Sequence, residues 1–153
     1  MSILPNLLYE IQRIIPGYRG YFIKNQIAKD DALVRNTAAL WVSEALAKVE
    51  NERNSVGSSM GLNLSGFDFE KIKQYDTLIN ALREIYTQLI ASPSGLRSLP
   101  LDQVTLNQLI QFDYQLITAC KSLVDNPSTS IITQVQNLLL ERKRILYDTV
   151  IKP

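Results

Sequence analysis

The chain of 153 residues contains no histidine and one cysteine, Cys120. Histidine is the usual general base near neutral pH and the commonest metal ligand, so its absence removes most triads and imidazole–metal sites together. A di-iron carboxylate bundle, which needs Glu-x-x-His pairs on facing helices, cannot be assembled. A single cysteine excludes an internal disulfide. On an apolar helix face its thiol pKa should rise and its reactivity fall. No run of roughly 18 uncharged apolar residues occurs, and the first thirty residues lack the basic start and apolar middle of a signal peptide. No stable membrane insertion is therefore expected, and a cytoplasmic location is. Sixteen basic side chains against fifteen acidic ones give a net charge of +1, too little for a long-range pull on a polyanion. DNA and RNA are not expected partners. Glycine is scarce, and Gly57, Gly61 and Gly66 are irregularly spaced and lack the Gly-Lys-Ser/Thr ending of a phosphate loop.

What remains is an ordinary apolar content for one domain, 1–153, which at this length buries about 70% of its unfolded surface. Folding therefore needs no cofactor, and none is expected. Residues 3–15 predict a short amphipathic helix with Leu4, Leu7, Leu8, Ile11, Ile14 and Ile15 on one side. Pro16-Gly17 stops it. From about 20 to 54 a stretch without proline or internal glycine predicts a long helix, seamed by Ile23, Ile27, Val34, Ala38, Trp41, Ala45 and Val49. Residues 55–66, rich in serine and glycine, predict a flexible loop.

Three more helices follow, over about 68–91, 103–125 and 129–151. Asp102 or Thr105 opens the second of them, Ser128 or Thr129 the third, and Asp125-Asn126-Pro127 separates the two. No segment alternates as a half-buried strand would. The expected fold is all-α: an antiparallel up-and-down four-helix bundle with an additional short N-terminal helix.

Two seams are interrupted by charge of opposite sign. The series 106, 109, 113, 116, 120, 123 places Asp113 where leucine is expected, and 131, 135, 138, 142, 145, 149 does the same for Arg142. For antiparallel helices turning near Pro127, residues at equal height have numbers summing to about 254, which sets Asp113 opposite Arg142 as a semi-buried ion pair. One reading is register specification by that pair. The other makes it the floor of a polar pocket, joined by Arg83, Tyr86 or Tyr114. Asp30-Asp31 reads as a solvated carboxylate pair on the long helix, with a solvated or end-capping role for Asp30.

The segment Ile15-Pro16-Gly17-Tyr18-Arg19-Gly20-Tyr21 places two tyrosines, glycines and an arginine between two helices. Here the chain resembles an uncharacterised group of bacterial helical proteins that open with Ile-Pro-Gly-Tyr-x-Gly-Tyr and continue into a long polar helix. The likeness covers about forty residues, roughly 12 to 53. This chain keeps Lys24, Lys29, Asp30 and Arg35 but carries Phe22, Ile23, Ile27 and Ala38-Ala39 where the group is more charged. The resemblance implies a helical protein and no particular activity.

These observations lead to a non-catalytic module for protein–protein interaction or self-association, with Leu7, Leu8, Ile11, Tyr18, Tyr21 and Ile23 as the candidate interface. The competing expectation for these residues is that the first helix folds back in cis over the end of the long one. The alternative function is a bundle that binds or senses a small ligand in a pocket around Asp113 and Arg142, and an open volume of a few hundred Å³ beside Arg142 would favour it.

Overall fold

Apolar residues at helical spacing give five helices in the computed structural model, which describes residues 4–22, 26–60, 66–91 and 102–147. They are α1 (Leu4–Ile14), α2 (Ile27–Met60), α3 (Gly66–Ile90), α4 (Gln103–Asp125) and α5 (Thr129–Leu146). None is long and apolar enough to cross a membrane among the described residues.

Caps set the starts of α4 and α5. Asp102 accepts a hydrogen bond from the Thr105 N–H at 2.7 Å and Ser128 one from the Ile131 N–H at 3.3 Å, each satisfying a donor that the first turn leaves free. α2 starts at Ile27 rather than near residue 20, because Gly20 (φ 66°) and Tyr21 (φ 67°) adopt left-handed backbone that no α-helix accommodates. It also continues through 55–60, where a loop is expected from composition; each added residue gains a backbone hydrogen bond, which offsets weak serine and glycine propensity. Residues 61–65 of that expected loop lie outside the described residues. α5 ends at Leu146 instead of near 151, because Tyr147 turns extended (φ −118°, ψ 140°). Thr149, the last expected seam position, lies outside the described residues.

Packing follows the seams. α2 lies against α3 and α4, α5 against α3 and α4, and α1 against α4. α4 therefore touches three neighbours, and it buries two faces: Leu106, Leu109, Asp113, Leu116, Cys120 and Leu123 on the expected seam, and Ile110, Ile117 and Ala119 beside it. Val34, Ala38, Val42, Ala45 and Val49 of α2 and Leu82, Ile85 and Leu89 of α3 complete the core with no exposed surface. α1 packs in cis, on α4 rather than over the start of α2.

Candidate functional site

The turn after α1 carries the polar centre of the molecule. The Ile15 N–H still bonds the Ile11 carbonyl at 2.7 Å and the Tyr18 N–H bonds the Ile15 carbonyl at 3.0 Å, after which the chain reverses through Gly20 and Tyr21. A non-glycine residue in this region costs about 1–2 kcal/mol. Asp30 holds the reversal in place: its carboxylate accepts from the Arg19 N–H at 3.0 Å and the Tyr21 N–H at 2.9 Å. Burial pushes the Asp30 pKa up while those two N–H groups pull it down, and the upward effect prevails. A side chain at Gly20 has no room, since a Cβ there would sit 3.0 Å from Leu8 Cδ1 and 3.2 Å from the Phe22 ring.

The reversal points both tyrosines inward, ring edge to ring face at 5.8 Å and 87°. Both hydroxyls donate to Asp113 Oδ2 at 2.7 Å. Arg142 Nε donates to Asp113 Oδ1 at 2.6 Å, and its Nη2 donates to the Tyr21 hydroxyl at 3.3 Å and to Asp31 Oδ1 at 2.9 Å. Asp31 in turn accepts from Arg35 Nε at 3.0 Å and from the Tyr147 hydroxyl. Arg35 Nη1 reaches the carbonyls of Leu89, at 2.8 Å, and Ala91, closing the C-terminal end of α3. Two carboxylates, two guanidiniums and three phenols thus link the α1–α2 turn, α2, α4, the end of α3 and the residue after α5. Each is at most 9% exposed.

Burial is what makes this cluster energetically consequential. It pushes the phenols of Tyr18, Tyr21 and Tyr147 above the usual tyrosine range, and the neighbouring carboxylates add to the effect. It also pushes the Asp113 carboxyl upward, opposed by Arg142 and the two hydroxyls. Burial disfavours the Arg142 cation, but the facing Asp113 outweighs it together with Tyr21 and Asp31, so the guanidinium remains charged.

Asp113 and Arg142, set at equal height by the register arithmetic, are thus in direct contact. The side chains that join them differ from those expected. Arg83 is exposed and 3.5 Å from Glu50, while Tyr86 and Tyr114 are half-buried against the apolar core and outside the cluster. Their places are taken by Tyr18 and Tyr21, expected at an interface but interior here, and by Asp31, Arg35 and Tyr147. Of the other candidate interface residues, Ile11 is interior, Leu7 and Leu8 are half-buried against the core, and Ile23 lies outside the described residues. Asp31, expected on a solvated face, is 1% exposed. The signal for it was present: 27, 31, 34, 38, 41 and 45 alternate in steps of four and three, so Asp31 interrupts the α2 seam as Asp113 interrupts that of α4. Tyr147 carries no such signal, because its side chain is placed by an extended residue beyond the helix.

Beside the cluster a cleft of about 680 Å³ opens between α3 and α5. Asp31, Arg35, Arg142 and Tyr147 line its buried side, Leu139, Leu140 and Leu146 give it apolar surface, and Glu84 and Lys143 stand at its exposed margin. The volume lies within the range of small-molecule sites, about 300–1,000 Å³. Among the described residues no group of three or more acidic, cysteine or histidine side chains is placed to hold a metal ion. Cys120 is fully buried and its pKa is pushed up to about 12, so its thiol is no nucleophile. What the cleft offers chemically is hydrogen-bond donation from two fixed cations next to apolar surface. No protein-family model, curated protein or solved structure matches the chain.

Proposed function

We propose that this protein is a non-catalytic binding module whose α3–α5 cleft takes up a small ligand over the buried charge cluster. The observation that carries this reading is the cleft itself: an open volume of about 680 Å³ bordered by Arg35 and Arg142, two cations held almost wholly out of water. Guanidiniums held in place by hydrogen bonds from their other nitrogens suit ligand recognition, since little ordering remains to be done on binding. The fold belongs to the same proposal. α2 and α5 each touch both α3 and α4, which supports a four-helix bundle with α1 added against α4.

The test is a chemical-shift screen with a small-molecule mixture, read at the side-chain amides of Gln88, Gln136 and Asn137, all of which line the cleft. Compounds that shift these amides, and fail to shift those of Gln88 and Asn137 in Gln136→Trp, support the module. Hits scattered over the surface, or none, refute it.

A second reading, docking on another protein or on a second copy, draws on different residues from those first expected. Tyr9, Ile14 and Phe22 are exposed around α1 and the turn that follows it. A solution mass that doubles with concentration, and returns to the monomer in Tyr9→Ser/Phe22→Ser, would favour it.

A further inference from the structure

Arg142 and Arg35 are nearly saturated with partners, and the exception is informative. Asp113, Tyr21 and Asp31 occupy Nε and Nη2 of Arg142; Asp31 and the carbonyls of Leu89 and Ala91 occupy Nε and Nη1 of Arg35. One terminal nitrogen of each, Arg142 Nη1 and Arg35 Nη2, has no hydrogen-bond partner among the described residues. Yet among those residues no side-chain nitrogen or oxygen is both buried and unpartnered. These two nitrogens therefore reach solvent, although the side chains that carry them are 3% and 10% exposed. The open volume that both residues line is the cleft.

The acceptors nearby are committed elsewhere. Both oxygens of Asp31 accept from Arg35, Arg142 or Tyr147, and both oxygens of Asp113 accept from Arg142, Tyr18 or Tyr21. The cleft thus faces unsatisfied donors on two cations, while the balancing carboxylates are turned to internal partners. A hydrogen bond from a guanidinium to an anionic oxygen is roughly twice as strong as one between neutral groups. Leu139, Leu140 and Leu146 add an apolar wall beside these donors.

Resting on the cleft reading above, we propose that the ligand is a small amphiphilic anion, its carboxylate or phosphate oxygens on Arg142 Nη1 and Arg35 Nη2 and its apolar body along the leucines of α5. The two anionic head groups share this chemistry, and the test separates them.

The full chain is titrated by calorimetry with octanoate, octyl phosphate, octanol and acetate, while the guanidinium resonances of arginine-labelled protein are followed. Octanoate or octyl phosphate should bind at least tenfold more tightly than octanol and shift the Arg142 and Arg35 resonances, and acetate should do neither. Whichever of the two anions binds more tightly names the head group. Equal binding of octanol and octanoate leaves the cleft reading standing and overturns the anion. Absence of binding by any of the four probes overturns the anion; whether the cleft reading falls with it is decided separately by the amide screen. Because Arg142 variants risk misfolding, the controls are Gln136→Trp and Lys143→Gln. Filling the cleft should abolish octanoate binding, whereas removing the marginal lysine should change it less than threefold. Loss of binding in Lys143→Gln alone would place the anion at the surface and refute the proposal.

Discussion

Asp113→Ala deletes the carboxylate that accepts from Tyr18, Tyr21 and Arg142, all from inside the molecule. Removing one partner of a buried ion pair costs about 3–5 kcal/mol. The two hydroxyls left without an acceptor add on the order of 1 kcal/mol each. A total near 5 kcal/mol is a large share of the stability of about 5–15 kcal/mol expected for a domain. With a urea slope of about 2 kcal/mol/M, the midpoint should fall by about 2 M or more. The molecule supplies its own control. Arg53 and Asp76 are also 2.6 Å apart, but they lie at the surface with 37% and 49% of their side chains exposed. Equal contact distance with different burial makes solvent screening the main difference between the two arginine contacts. Asp76→Ala should therefore leave the midpoint almost unmoved. Asp113→Asn should fall between, because it keeps the shape while a tyrosine hydroxyl can accept as well as donate. The assay is urea unfolding followed by far-ultraviolet circular dichroism, with unchanged slopes as the check that the unfolded states compare. Similar midpoints for Asp113→Ala and Asp76→Ala would refute the claim that burial sets the strength of this pair.

Gly20→Ala should lower stability by about 1–2 kcal/mol, since the positive φ and the 3.0 Å approach to Leu8 act together, and Gly17→Ala, with a Cβ 3.3 Å from Leu33, by less; paired thermal melts decide the order. The phenols of Tyr18, Tyr21 and Tyr147 have folded pKa values above the unfolded value near 10. Above that pH the unfolded chain loses protons that the folded one keeps, so stability is fully present below about pH 10 and falls as pH rises, by roughly 4 kcal/mol per pH unit for three such groups. These three tyrosines should ionise only together with loss of helical dichroism; ionisation of all seven tyrosines in the still-folded chain would contradict this. Cys120, buried with its pKa pushed up to about 12, should react with a disulfide reagent only at the rate of unfolding, and rapid labelling of the native protein would count against its burial.

Helix positions were legible wherever apolar residues keep helical spacing: α4 begins and ends where its capping aspartate and its Asp-Asn-Pro stop indicate. The Asp113–Arg142 contact was legible too, because a charge inside a leucine seam has to be neutralised and antiparallel register fixes where its partner sits. The rest of the cluster was not. Tyr18 and Tyr21 lie in a turn whose direction depends on left-handed backbone at a non-glycine residue, which no local pattern announces. Asp31 interrupts the α2 seam, yet its pairing with Asp30 next to lysine and arginine predicts a solvated face. Asp31→Ala, which a solvated face would make harmless, should instead approach Asp113→Ala in cost, since it strips acceptors from Arg35, Arg142 and Tyr147. The cleft depends on the relative placement of α3 and α5, helices distant in sequence, and spacing within either one carries no information about the gap between them.

Arg142 is locked by Nε and Nη2 into a network that opens only when the molecule does. Hydrogen exchange at the Nε–H groups of arginine-labelled protein tests it most directly. Arg142 Nε–H, donating to Asp113 at 2.6 Å, should exchange as slowly as the most protected core amides, while that of Arg13, 62% exposed, exchanges at the solvent rate. Exchange of Arg142 as fast as that of Arg13 would show that its guanidinium is free of Asp113 in the folded molecule.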